Sequence, residues 1–145
     1  MRLNTRTRYG ARALLELALH YGEGPLSLAD IARTQEISGK YLESVLGALR
    51  SASLVHSRRG AQGGYELARP PEAINLREVY AAFEGSEPFV PCTLDPDACR
   101  RWPLCVTQDV WARMYQASME VLESTTLAEL VARHSARSGA YDYHI

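Results

Sequence analysis

Apolar and polar positions alternate with the period of an α-helix in three successive segments of the first half of the chain. The apolar face of the first segment contains Leu14, Leu17, Ala18 and Tyr21. A second, shorter segment follows Ser27, which has capping-box spacing to Asp30. A third segment follows Ser38, and its apolar stripe contains Leu42, Val45, Leu46 and Leu49. Two helices joined by a tight turn at residues 35–37 predict a helix-turn-helix.

Strand-like segments follow the third helical segment. Residues 54–57 and 65–68 are strand candidates, and a glycine-rich turn at residues 58–64 separates them. Two short strands around such a turn predict a β-hairpin, which in this position is a wing. A phosphate-binding loop is a weak alternative, because the glycines neither end in Gly-Lys-Ser/Thr nor open a helix.

Capping signals mark two helices of the second half. Asn75, with Glu78 three residues further on, predicts the start of a helix that Gly85 ends. Thr126 opens a short final helix with capping-box spacing. Residues 135–145 are polar, and we expect them to fray.

A long helix is predicted between the end of the cysteine-containing loop and about Ser124. Its broad apolar stripe contains Val110, Trp111, Met114, Ala117, Ser118, Val121 and Leu122. A small winged helix does not need so long a helix for its own core, so we expect the stripe to pair two copies in a C₂ dimer. The alternative is that the helix packs back on its own domain.

The pattern as a whole predicts a mainly α-helical protein with a small β-hairpin wing. We expect a winged helix-turn-helix domain that binds DNA over residues 1–84 and a cysteine loop over residues 85–106. A dimerisation helix and a short terminal helix are expected over residues 107–134, and a flexible tail over residues 135–145.

Charge and composition favour a cytoplasmic protein with a polyanionic partner. The net charge is −1, but residues 1–60 carry +4 and residues 61–145 carry −5. A basic N-terminal half suits nucleic acid, although a solvated surface of mixed charge is an equal alternative. We expect the basic and then apolar N-terminus to form the first helix and not a signal peptide, because Arg12, Glu16 and His20 interrupt the apolar run, no small-residue cleavage site follows and the apolar residues recur at helical spacing. No apolar run is long enough to span a membrane.

The exposed side of the third helix is expected to enter a major groove of double-stranded DNA. Lys40 and Ser44 can bond base edges or phosphate, and Glu43 can accept from a cytosine amino group although it repels phosphate. A wing arginine suits a narrow minor groove. The predicted DNA contacts are Ser38, Lys40, Tyr41, Glu43 and Ser44 in the helix, Arg58 and Arg59 in the wing, and Arg2, Arg6 and Arg8 near the N-terminus. Solvated surface charge is the alternative for these residues.

Three cysteines, Cys92, Cys99 and Cys105, lie within fourteen residues that are rich in proline and aspartate and therefore form a loop. Three thiolates suit a soft metal or an iron–sulfur cluster, but one ligand is missing from the usual four. Gln108 or Asp109, about one helical turn beyond the last cysteine, is the candidate fourth ligand. Zinc with one His or carboxylate, or a disulfide with one remaining thiol, are alternatives.

These features together resemble the Rrf2 family of bacterial regulators, and especially its IscR-like members. Four segments carry the resemblance, which covers about residues 1–134: MRLNTRTRYGARALLELAL, ISGKYLESVLGALRSASLV, RRGAQGGYELARP and the cysteine loop. It implies a homodimeric winged-helix repressor or dual regulator. It also implies that an iron–sulfur cluster, [2Fe–2S] or alternatively [4Fe–4S], controls operator binding in response to cluster supply, redox state or nitric oxide.

The resemblance also implies roles for individual residues. Cys92, Cys99 and Cys105 match the cluster ligands, Glu43 matches a position that discriminates between operators, and Arg59 matches the wing arginine. The chain departs from the family at the fourth ligand. Gln108 stands where IscR-like proteins often have histidine, and Arg8 stands where nitric-oxide-sensing relatives have aspartate. The spacing from Cys92 to Cys99 is also one residue longer than usual.

No enzyme is expected. The sequence contains no Ser-His-Asp candidate set, no phosphate loop and no paired carboxylates on a recognisable scaffold. A winged helix that binds a partner protein without contacting DNA is a further alternative.

Overall fold

The computed structural model describes residues 3–142, with side chains described as far as residue 140. This part of the chain forms a mainly helical domain with one two-stranded sheet. Its elements are α1 (Thr5–Leu19), α2 (Leu28–Gln35), α3 (Gly39–Ser51), β1 (Val55–Arg58), β2 (Gly64–Leu67), α4 (Leu76–Glu84), α5 (Gln108–Ser124) and α6 (Leu127–Asp142). Across residues 3–142, no helix has both the length and the apolar character to cross a membrane.

The helices begin at the predicted caps. Ser27 Oγ accepts from the Asp30 amide at 3.1 Å, and Ser38 Oγ accepts from the Tyr41 amide at 3.3 Å. Asn75 forms the complete capping box with Glu78. Each cap satisfies a backbone donor that has no partner within its helix, which fixes where the helix starts.

The apolar stripe of α3 lies at the centre of the core. The fully buried large side chains come from five helices, the wing and the connecting segments: Leu14, Ile31, Leu42, Val45, Leu46, Leu49, Leu54, Val55, Ile74, Val79 and Leu127. Helix α1 packs against α2, α3, α4 and α6. The recognition helix of the predicted helix-turn-helix is therefore held by its buried face, and its polar face is left outside.

The wing is an antiparallel hairpin in which Val55 pairs with Leu67 and Arg58 pairs with Gly64. Leu26 forms an isolated antiparallel bridge to the hairpin, which the sequence did not reveal, through backbone hydrogen bonds of 2.8 and 2.9 Å with Tyr65. Gly64 has a φ of +151°, and a Cβ there would lie 2.1 Å from the Leu26 carbonyl oxygen. Glycine is therefore required at this position for Leu26 to approach the hairpin so closely.

Two sequence expectations are wrong. Tyr21 is not on the buried face of α1, because the helix ends at Leu19 and the ring is 49% exposed. The tail does not fray as far as it is described, because residues 135–142 continue α6. That stretch contains no proline, and its two alanines and one arginine favour a helix. Residues 143–145 lie outside the described part of the chain.

Candidate nucleic-acid interface and cysteine loop

The exposed side of α3 carries three of the five residues predicted there as DNA contacts. Lys40, Glu43 and Ser44 are exposed, and no ion pair engages Lys40 or Glu43 within the described part of the chain. Ser44 Oγ lies 3.4 Å from the Arg6 guanidinium, which donates to it. This face presents a cation, a carboxylate and a hydroxyl side by side, which is a set that can bond to base edges.

The other two predicted residues of α3 have structural contacts. Ser38 Oγ caps the helix, although the residue is exposed. Tyr41 is half-buried, and its ring packs edge-on against Tyr9 of α1 with 5.6 Å between the ring centroids. Ser38 therefore fixes where α3 begins, and Tyr41 holds that end of α3 against α1.

The two wing arginines differ in their surroundings. Arg58 Nε lies 2.8 Å from Glu66 Oε1 on the adjacent strand, so its charge is already paired. Arg59 is exposed in the turn, and no ion pair engages it among the described residues. Arg59 is therefore the freer cation at the wing tip.

The basic residues before and within α1 are only partly described. Arg2 lies outside the described residues. Arg8 is exposed and donates to Thr5 Oγ1 at 3.3 Å. Arg6 is half-buried, because its guanidinium lies against the Phe83 ring, 5.6 Å from the ring centroid.

The cysteine loop connects α4 to α5 through three 3-10 turns, Pro91–Thr93, Pro96–Ala98 and Trp102–Leu104. All three cysteines are free thiols; Cys92 and Cys105 are half-buried and Cys99 is exposed. Within residues 3–142, no three His, Cys, Asp or Glu side chains are arranged to hold a metal ion. Three thiolates are suitable donors for a soft metal or a cluster. Their arrangement in this structure, however, does not form a site that could hold one.

The candidate fourth ligands lie at the start of α5. Gln108 is the first residue of the helix and is half-buried, and Asp109 is exposed in the first turn. In the described part of the chain, Asp109 belongs to no group of three or more His, Cys, Asp and Glu side chains that could hold a metal ion.

The thiol of Cys105 lies beside the N-terminus of α5. Its Sγ is 3.2 Å from Thr107 Oγ1. This hydrogen bond, followed by those from the Gln108 and Thr107 backbone amides, lowers the pKa of Cys105 below its ordinary value. The positive charge of Arg101 acts in the same direction. A lower pKa raises the fraction of thiolate, which is the form that binds metals and reacts with oxidants.

Two aromatic residues fix the cysteine loop to α5. Phe89 packs edge-on against Tyr115, with 5.3 Å between the ring centroids. The Tyr115 hydroxyl donates to the Ser86 carbonyl oxygen at 3.4 Å. The turn Pro91–Thr93 packs along the same helix. The stripe prediction for α5 did not include Tyr115, because it lies on the side of the helix that faces the loop.

The predicted stripe of α5 divides into two faces. Leu122 is half-buried against the domain, together with Tyr115 and the buried Met119. The other predicted dimer residues are exposed: Val110, Trp111, Met114, Ala117 and Val121. One face of α5 therefore packs against the domain, and another apolar face points outward.

Helix α5 is held at its end by the segment that leads into α4. The Leu76 amide donates to the Thr125 carbonyl oxygen at 3.0 Å, and the Leu127 amide donates to that of Ile74 at 2.9 Å. These bonds join the start of α4 to the junction of α5 and α6. The position of α5 is therefore coupled to the domain that carries α3.

Comparison with known proteins identifies the family. A family profile described as Rrf2, an iron-dependent transcriptional regulator, matches residues 3–133. Protein rrf2 of Nitratidesulfovibrio vulgaris is 42% identical over 131 residues, which are 90% of this chain and 87% of that protein.

Solved structures show the same relationship. CymR, the global cysteine regulator of Bacillus subtilis, is 39% identical with a TM-score of 0.77, and the match covers 92% of this chain and 98% of that one. IscR of T. potens is 40% identical with a TM-score of 0.76, covering 92% and 88%. The sequence and structural matches span nearly the whole chain, and the protein therefore belongs to the Rrf2 family of transcriptional regulators.

Proposed function

We propose that this regulator binds double-stranded operator DNA as a homodimer, and that an iron–sulfur cluster bound by the cysteine loop controls that binding. One observation carries the proposal. The loop that contains every cysteine of the chain connects α4 of the DNA-binding domain to α5, which has the outward apolar face. A ligand that reshapes this loop acts on both the DNA-reading part and the dimer helix. The regulator acts in the cytoplasm, where operator DNA lies.

DNA binding uses α3 in the major groove and the wing in the adjacent minor groove. Lys40 and Ser44 supply donors to bases or phosphate, and Arg59 enters the minor groove, where the negative potential is deepest. Glu43 selects between operators, because its carboxylate is favourable only where a base amino group can donate to it. The exposure of these four side chains supports these roles.

Dimerisation uses the exposed face of α5. A C₂ axis would place the same apolar residues of two copies against each other. The two recognition helices would then read two half-sites about one turn of DNA, roughly 34 Å, apart. The support is the exposed apolar row along a helix of 17 residues.

Cys92, Cys99 and Cys105 are the proposed cluster ligands, with Gln108 or Asp109 as the fourth. We favour [2Fe–2S], with [4Fe–4S] or zinc as alternatives. The three thiols do not converge in this structure, so cluster binding requires the loop to rearrange. A bound cluster would supply a redox- and iron-sensitive link between thiolates that the chain otherwise leaves separate.

Spectroscopy of protein purified without oxygen tests the cluster. We expect the wild type to show charge-transfer absorption and the Mössbauer spectrum of bound iron, with a high iron occupancy. Both signals should be lost in Cys92→Ala. A colourless wild-type protein that contains stoichiometric zinc would contradict the cluster proposal.

The second candidate is a thiol-redox regulator without a cluster. The lowered pKa of Cys105 favours it, because a thiolate is the species that reacts with peroxide or disulfides. Mass spectrometry of anaerobic protein treated with glutathione disulfide separates the candidates. If iron-free protein forms a stoichiometric disulfide or mixed disulfide that changes its DNA affinity, the result supports the thiol-redox candidate.

A further inference from the structure

A line of contacts runs from the start of the cysteine loop, across α1, to the exposed side of α3. Glu84 is the last residue of α4, and Gly85 after it begins the loop. Glu84 Oε1 accepts from the Asn4 amide at 2.8 Å and from the hydroxyl of the buried Thr7 at 2.6 Å. The start of α1 is thus bonded to the residue that precedes the loop.

Phe83, beside Glu84, packs directly on α1. A Cβ added to Gly10 would lie 2.4 Å from Phe83 Cε2, so the ring occupies the space that any other residue at Gly10 would fill. The Arg6 guanidinium lies 5.6 Å from the centroid of the same ring, within cation–π range. The end of α4 and the first two turns of α1 are therefore packed together as one unit.

Arg6 connects this unit to α3. Its Nη2 donates to Ser44 Oγ at 3.4 Å, so one side chain contacts both the ring at the end of α4 and a hydroxyl on the DNA-facing side of α3. The side chain of Arg8, two residues further along α1, makes no such connection and bonds only to Thr5 of its own helix among the described residues.

We infer that Arg6 is a positioning residue, which fixes Ser44 for base recognition by holding it in register with Phe83. The inference deepens the proposed function and rests on it, because it names the path by which the cysteine loop reaches α3. A shift of the Glu84–Gly85 junction would move Phe83 and Arg6 and would release or reorient the Ser44 hydroxyl.

A phosphate contact is the competing role for Arg6, and it makes a different prediction. A phosphate contact would be preserved in Arg6→Lys, because lysine keeps the charge. A positioning role would be impaired, because lysine lacks the planar group that stacks on Phe83 while donating to Ser44. Arg8→Lys is the matched control, since it makes the same exchange two residues away on an exposed side chain.

The test is a double-mutant cycle on the full-length protein, with a DNA duplex selected from a random pool by the anaerobic wild type. Single-base variants of this duplex report base preference. We expect Ser44→Ala and Arg6→Lys to weaken discrimination at the same base pairs, about fivefold to tenfold each, and the double variant to be no worse than either single. Arg8→Lys should combine additively with Ser44→Ala.

A second variant tests the other end of the connection. Phe83→Leu keeps Arg6 and Ser44 but removes the ring, and it should weaken discrimination at the same base pairs. The inference would be overturned if the effects of Arg6→Lys and Ser44→Ala on base discrimination were additive. It would also be overturned if Arg6→Lys left base preference unchanged, or if Ser44→Ala had no effect.

The same duplex separates this inference from the proposed function. Cys92→Ala should change affinity about tenfold in the wild-type background and less than about twofold in Arg6→Lys. If Cys92→Ala has no effect in the wild type, control by the loop is wrong, and the Arg6–Ser44 cycle still decides the positioning role. If the effect of Cys92→Ala is undiminished in both Arg6→Lys and Phe83→Leu, the loop acts by another path and the inference is overturned.

Discussion

The exposed face of α5 makes a quantitative prediction about self-association. Met114 is 47% exposed and Val121 is 65% exposed, although both are apolar and lie two turns apart on one side of the helix. Burying a whole side chain of this size is worth about 2 kcal/mol, so a partner that covers the exposed fractions gains about 1 kcal/mol from each. Both protomers contribute in a C₂ dimer, which gives about 4 kcal/mol in total for the two positions.

The perturbation is the double substitution Met114→Ala and Val121→Ala. Alanine keeps helix propensity and one methyl group, so most but not all of this energy is lost. A loss of about 3 kcal/mol weakens the dimer roughly a hundredfold in Kd. Stability of the single domain should change little, because these side chains are outside the core.

Sedimentation equilibrium over a range of protein concentrations measures the dimer Kd. Gln116→Ala is the matched control, since Gln116 is an exposed residue on a different side of α5 that bonds only to Glu120 among the described residues. The reasoning is refuted if the double variant dimerises as tightly as the wild type, or if the control weakens the dimer equally.

Three further predictions follow from single contacts. Gly64→Ala should lower the free energy of unfolding by at least about 1–3 kcal/mol in urea denaturation, because φ is +151° and a Cβ would meet a carbonyl oxygen at 2.1 Å. The alkylation rate of Cys105 by iodoacetamide should have a pH midpoint below that of an ordinary cysteine thiol, and Thr107→Val should raise this midpoint because it removes the largest cause of the lowered pKa. Arg59→Ala should reduce the slope of log K for DNA against log salt by about one per protomer, and Arg58→Ala by less, because its charge is already paired.

Each of these predictions has a result that would contradict it. Gly47→Ala is the control for Gly64, since a Cβ at Gly47 meets nothing within 4 Å and alanine favours the helix; equal destabilisation of both variants would refute the argument from close approach. An unchanged alkylation midpoint in Thr107→Val would show that its hydroxyl does not stabilise the thiolate. Equal salt slopes for the wild type and the Arg59 variant would exclude a contact between the Arg59 charge and DNA at the wing tip.

The sequence predicted the winged helix-turn-helix fold well, because its signals are local. The caps at Ser27, Ser38 and Asn75 and the period of the α3 stripe are each set within one or two turns of helix. The buried Glu16 shows the limit of this reasoning. It accepts from Gln35 Nε2 at 2.8 Å, and that partner is 19 residues away on another helix. In the sequence, Glu16 is only an interruption of an apolar face.

The cysteine loop was predicted as a loop, but its internal arrangement was not. The spacing of the cysteines shows only how close the thiols are in sequence. Their positions in the folded loop depend on proline turns and on packing against Tyr115. The structure therefore leaves apart thiols that sequence spacing suggested would converge. The division of α5 into inward and outward faces was hidden for a related reason. The periodicity of an apolar stripe does not show which of its residues pack against the chain's own domain and which face outward.

Control of operator binding by the cysteine loop is tested most directly by the affinity of anaerobically purified protein for one selected duplex. The wild type and Cys92→Ala are compared at the same salt concentration, with iron content measured in each sample. The expected result is an affinity that differs about tenfold between the two proteins, with iron bound only by the wild type. Equal affinities, with iron present in the wild type, would contradict control of DNA binding through this loop.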